Sequence, residues 1–143
     1  MNINTILVPV DGSASSLRAV EFAIRAAQDR DDITLHVLTV QAPIISGNVK
    51  RFISGEIIDD YYQDEGRQAL RIAETMLGKS GVAYQTHIAI GPIAETIHGF
   101  AKENGCGQIA MGTRGLGSVA GLFLGSVATK VLSLVDVPVT LVK

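Results

Sequence analysis

Eight of the fifteen glycines in this 143-residue chain fall between Gly99 and Gly125, and the most ordered part of that cluster is a spaced pattern. It reads Gly112-Thr113-Arg114-Gly115, then nine residues, then Gly125-Ser126. Glycine weakens regular elements, so such density needs a conformational or contact reason. Gly112 and Gly115 allow backbone N–H groups to converge into an anion-binding nest. Gly125-Ser126 opens a run at helical spacing, and a helix start offers free N–H groups and a favourable dipole to an anion. The Ser126 hydroxyl is a further donor, and Arg114 brings positive charge to the rim. Two separated donor clusters suit a chain of phosphates; a merely flexible loop is the competing reading of the same glycines. A second candidate is Asp11 in Asp11-Gly12-Ser13, although that tripeptide also makes a good turn and helix cap without any ligand.

Other apparent signals are weak. Gly78-Lys79-Ser80 resembles the end of a phosphate-binding P-loop, but Ala73 stands where its first glycine belongs, and the segment closes a helix. His36, His87 and His98 are far apart in sequence without a metal-like pairing to a nearby carboxylate or thiol, which favours packing or surface roles. Cys106 has no base near it in sequence and reads as incidental. Tyr61-Tyr62 reads as packing at a helix start. Asp59, Asp60, Asp64 and Glu65 read as a solvated helix start that complements the dipole.

The elements that must position these residues follow from periodicity. Ile3 to Val10 is a β-branched apolar run of the kind found in buried parallel strands, with Pro9 expected near its end. Leu17, Val20, Ile24 and Ala27 mark a helix, capped by Ser13 or Ser15. Ile33 to Val40 is a second strand, and Gln41 to about Ile58 a long loop with at most a turn of helix. A helix is predicted over Asp59 to Leu77, a strand over Val82 to Ile90, and a helix opening at Gly91-Pro92. Gln108 to Gly112 is a fourth strand, Gly125 to Leu134 a fourth helix, and Val137 to Val142 a last strand. This alternation implies one α/β domain over residues 1–143, an open parallel five-stranded sheet with helices on both faces. Ligands of such sheets sit beyond the carboxyl ends of the strands, where Asp11, Val40 and Met111 to Ser126 fall.

Composition narrows the setting. Hydrophobic residues make up 47% and charged residues 18%, a globular balance. A net charge of -2 offers no basic field for nucleic acid or a membrane surface. The start of the chain lacks the basic flank of a signal peptide, no apolar run is long enough to span a bilayer, and a single cysteine agrees with a reducing compartment; the expectation is cytoplasmic.

The Gly-x-x-Gly-x9-Gly-Ser spacing after a strand resembles the nucleotide-binding pattern of the universal stress protein family. Ile6-Leu7-Val8-Pro9-Val10-Asp11-Gly12-Ser13 is similar to that family's first strand and turn, and Val137-Pro138-Val139-Thr140-Leu141-Val142 to its last strand. The resemblance covers essentially the whole chain and implies the Rossmann-like, adenine-nucleotide α-hydrolase type of sheet. It implies ATP, with or without Mg²⁺, as ligand. Pro9, Val10 and Asp11 would line the nucleotide, with Asp11 near the ribose or a phosphate-bound metal. Val40 would meet the adenine through its backbone, while Met111 and Gly112 would flank the ribose and phosphates. Gly115, Gly125, Ser126 and Val127 would hold the phosphates, and Arg114 occupies a variable loop position. The resemblance also implies a homodimer through Val137 to Val142.

Three functions are then in play. One is a nucleotide-binding stress-response module with at most slow ATP hydrolysis, since no residue is an evident general base. Another is an adenylyl-transferring enzyme of a related fold, for which the chain has no room for a substrate domain. The third is an interaction protein with an empty loop.

Overall fold

A computed structural model describes residues 2–43, 51–115 and 124–143. The elements alternate as β1 (Asn2–Pro9), α1 (Ala14–Ala27), β2 (Thr34–Gln41), α2 (Gly55–Ser80), β3 (Ala83–Ile90), α3 (Ile93–Glu103), β4 (Cys106–Gly112), α4 (Ser126–Leu134) and β5 (Val139–Val142). All five strands are parallel, in the order β3-β2-β1-β4-β5. The chain runs from β1 outward to β3 and then returns to the other side of β1. The switch point of the sheet therefore lies between β1 and β4.

Successive side chains of a strand point to opposite faces, and the apolar residues of β1 and β2 serve two cores accordingly. Ile6, Val8, Leu35 and Val37 pack with Val20 and Ala23 of α1 and Leu70, Ala73 and Leu77 of α2. Leu7 and Leu38 pack on the other face with Ile97 and Ala101 of α3 and Val131 of α4. Central strands so clothed read as continuous apolar runs, and Ile6, Leu7, Val8 are each at most 3% exposed. Pro9 ends β1, where its missing donor is harmless.

Several boundaries differ from the expectation. Helix α2 begins at Gly55, four residues before Asp59, because the Ser54 hydroxyl caps it by accepting from Ile57 N at 3.2 Å. It also passes through Gly78 and stops at Gly81, whose φ of 77° is the left-handed conformation that ends helices. Of the two serines offered as the cap of α1, Ser13 serves, accepting from Ser16 N at 3.2 Å. Strand β4 starts two residues earlier than expected, at Cys106, and β5 two residues later, at Val139. Pro138 stays outside β5 yet its carbonyl still accepts from Ile109 N at 3.0 Å. Part of the loop expected over Gln41 to Ile58, and the part of the glycine-rich segment between Leu116 and Phe123, lie outside the described residues.

Candidate functional site

A cavity of about 520 Å³ opens at the carboxyl ends of the strands, over the switch point between β1 and β4. That size is ordinary for a small-molecule site. It is lined at its base by Pro9, Val10 and Asp11 from the end of β1, by Leu38 and Val40 from β2, and by Met111 and Gly112 from β4. Thr113, Arg114 and Gly115 continue from β4 along one side, and Gly125, Ser126, Val127 and Ala128 form the start of α4. Ile93 and Ile97 of α3 add apolar wall. All eleven residues singled out from the sequence thus border one space, although four separate stretches of the described chain supply them.

Two amides on the Gly112–Gly115 side, where the sequence suggested a nest, are instead engaged within the protein. Thr113 N donates to Val142 O at 3.0 Å, and Arg114 N is 3.4 Å from Ser15 Oγ. Gly125 N donates to Thr113 O at 2.6 Å, which clamps the loop to the start of α4. The helix start itself is different. No side chain caps α4, and its first intrahelical bond is Thr129 N to Gly125 O at 3.1 Å. The N–H groups of Ser126, Val127 and Ala128 precede that bond, and all three residues border the cavity. By comparison, Ser13 and Ser54 each engage one first-turn amide of α1 and α2, whereas α3 also lacks a side-chain cap. Three open donors at the positive end of a helix dipole form a ready anion site.

Glycine is required where chains meet closely. A Cβ on Gly112 would lie 2.7 Å from the Ser15 carbonyl carbon, so α1 and β4 can touch only without one. A Cβ on Gly115 would run into Asp11 Oδ2. Asp11 is itself anchored, since its Oδ1 accepts from Ser13 N at 2.9 Å, and Gly12 completes that turn at φ 85°. The carboxylate therefore sits between the first turn of α1 and the glycine loop, serving as turn acceptor and cavity wall together.

Helix α2 contributes a wall that the sequence did not mark as part of a site. Tyr61, Tyr62 and Glu65 all border the cavity. Tyr62 is 4% exposed and Tyr61 39%, with their rings edge-on at 5.4 Å between centroids. The helix comes close because of Gly66, where a Cβ would be 2.6 Å from Ile88 Cγ2 of β3. The only signal in the sequence was this glycine inside an otherwise regular helical pattern.

Two histidines set aside as unrelated are neighbours. His36 Nδ1 and His87 Nε2 lie 2.9 Å apart across β2 and β3, and both rings contact Phe100 of α3. Burial pushes the pKa of each below the usual histidine value, and for His87 the proximity of His36 adds to the effect. Cys106 is buried, which raises its thiol pKa to about 11 and leaves it a poor nucleophile. Among the described residues no three His, Cys, Asp or Glu side chains come together as a metal site, and no helix is long and apolar enough to cross a membrane.

The chain is similar to known proteins over almost its whole length. The universal stress protein MJ0531 of Methanocaldococcus jannaschii is 33% identical over 138 residues, spanning 96% of this chain and 81% of its own. YxiE, a universal stress protein of Bacillus subtilis, is 32% identical over 98% of this chain and 99% of its own. The solved structure of hypothetical protein MJ0577 superposes with a TM-score of 0.84 at 22% identity, over 100% of this chain and 97% of that one, a likeness of fold. A universal stress protein solved in complex with cAMP aligns at 27% identity with a TM-score of 0.71, over 97% of this chain and 96% of that one. One from Archaeoglobus fulgidus in complex with dAMP aligns at 25% identity with a TM-score of 0.69, over 97% of each chain. The pattern of the universal stress protein family runs through residues 2–143, and the chain belongs to that family.

Proposed function

We propose that this protein binds an adenine nucleotide, ATP, in the cavity above the switch point and acts as a stress-response module whose state the nucleotide sets. The observation that carries this reading is the uncapped start of α4 at one end of a cavity with an apolar base. Backbone amides of Ser126, Val127 and Ala128, the Ser126 hydroxyl and the Arg114 guanidinium receive the phosphates. Pro9, Val10, Val40, Met111, Ile93 and Ile97 give the base an apolar surround, with the Val40 backbone reading the purine edge. Gly112, Gly115 and Gly125 allow the loop to lie against Asp11 and the helix start. Two relatives of similar fold bind adenine nucleotides with one phosphate, cAMP and dAMP, which supports the class of ligand.

Binding rather than catalysis is the better reading. Asp11 accepts from Ser13 N and abuts Gly115, an arrangement suited to holding a ribose hydroxyl or a phosphate-bound Mg²⁺. A dedicated γ-phosphate hydrolase needs a free base or water-positioning group in line with the scissile bond. We place the protein in the cytoplasm and read it as a homodimer through Val137 to Val142.

Mass spectrometry of the ligand retained by the purified protein tests the nucleotide reading. Wild type should carry an adenine nucleotide and Gly115→Val should carry none, because the added side chain displaces the Asp11 carboxylate as well as filling the approach to the loop. Equal retention by both would contradict the site.

A further inference from the structure

We infer that Glu65, one turn inside the cavity wall made by α2, recognises the sugar of the bound nucleotide by accepting a hydrogen bond from a ribose hydroxyl. This rests on the nucleotide reading above and deepens it. Glu65 borders the cavity, is half-buried, and has no ion pair or hydrogen bond among the described residues. The neighbouring carboxylate of α2, Asp64, is paired with Arg67 instead and faces solvent.

The position of Glu65 follows from the packing of α2. Ala69, four residues on, touches the turn after β1: a Cβ on Gly12 would be 3.7 Å from Ala69 Cα. Residues four apart lie one above the other on a helix. Glu65 therefore stands one turn beyond Gly12, over the turn that holds Asp11, and Gly66 fixes how near the helix comes to the sheet. Tyr62, buried behind the cavity wall, leaves this stretch of α2 little freedom to withdraw.

Charge then divides the cavity. At one end lie the open amides of α4 and the Arg114 guanidinium, which draw anions. Along the α1–α2 side lie two carboxylates, Asp11 and Glu65, which repel them. A nucleotide settles with its phosphates at α4, and what reaches the carboxylates must donate hydrogen bonds. The ribose hydroxyls are such donors and lie between the phosphates and the base. An ionised carboxylate accepts only, through two oxygens, and a hydroxyl bonded to it is held by a charge-assisted hydrogen bond. Doubly wound folds that bind dinucleotides use an acidic side chain on the ribose for the same reason.

Isothermal titration of wild type and Glu65→Gln with ATP, 2′-deoxy-ATP and 3′-deoxy-ATP tests the inference. Glutamine keeps the size and helix-forming tendency of the side chain at a position that is not core, and thermal melts confirm that the fold is retained. Wild type should bind ATP about ten-fold more tightly than one of the deoxy analogues, the magnitude of a hydrogen bond to a charged group. Glu65→Gln should weaken ATP by a similar factor and leave that analogue almost unaffected. Equal affinity of the two proteins for ATP overturns the inference. So does an equal loss for all three ligands, which marks a general electrostatic or metal-holding effect. Wild type that binds none of the three ligands overturns the nucleotide reading itself, whereas the other two failures leave it standing.

Discussion

Ser126 is the residue at which the account of this site is most exposed to test. It is the first residue of α4, so its N–H has no partner within the helix, and proline is well tolerated at that position. Gly125 before it has φ −73° and ψ 166°, the extended conformation that a following proline demands. Ser126→Pro thus removes both the N–H and the hydroxyl with little cost to the fold, and Ser126→Ala removes only the hydroxyl. Asp11 and Val40 were legible as site residues because a strand end is a place the topology dictates. Glu65 and Tyr62 were not, since nothing in a regular helical stretch tells which turn will overhang a cavity. The pairing of His36 with His87 was hidden by a sequence separation of 51 and depends on the register in which Leu38 faces His87.

At the scale of the elements, α2 owes its close approach to β3 to Gly66. Alanine at Gly66 would gain about 1 kcal/mol in helix propensity. It would also drive a methyl into Ile88, and overpacking costs about 1–3 kcal/mol. We expect Gly66→Val, which adds bulk without that propensity gain, to lower the unfolding free energy from denaturant titration by at least about 1 kcal/mol. It should also weaken nucleotide binding, because α2 carries Tyr62 and Glu65 into the cavity wall. Unchanged stability and affinity would mean that α2 docks less tightly than the structure has it. The start of α2 shows what periodicity conveys and what it does not. The buried stripe Tyr62, Leu70, Ala73, Leu77 was readable, but Gly55 and Pro43 disguised the first turn, which a capping serine supports rather than an apolar pattern.

Across the whole molecule, the histidine pair couples stability to pH. Both side chains have folded-state pKa values below the unfolded value, so the native state favours their neutral forms. As pH falls through about 6.5 the unfolded chain takes up protons first, and stability is lost from there down to the folded pKa values. Melting temperature should therefore fall between pH 7 and pH 5, and His87→Gln should flatten the profile; a profile of equal slope in both proteins would contradict the role of the pair. Assembly is a second property at this scale. β5 is an edge strand with half-buried apolar residues, and such edges are usually paired or covered. Light scattering at micromolar concentration should give about twice the 15.1 kDa chain mass, and a monomer would count against pairing through β5.

In the proposed function the open amides of α4 hold the phosphates of an adenine nucleotide. Isothermal titration of ATP into wild type, Ser126→Ala and Ser126→Pro measures it most directly. Loss of a hydrogen bond to a charged group is worth about 1.5–3 kcal/mol. Ser126→Pro should therefore bind about 10–100-fold more weakly than wild type at an unchanged melting temperature, with Ser126→Ala in between. Equal affinity in wild type and Ser126→Pro would show that the phosphates lie elsewhere.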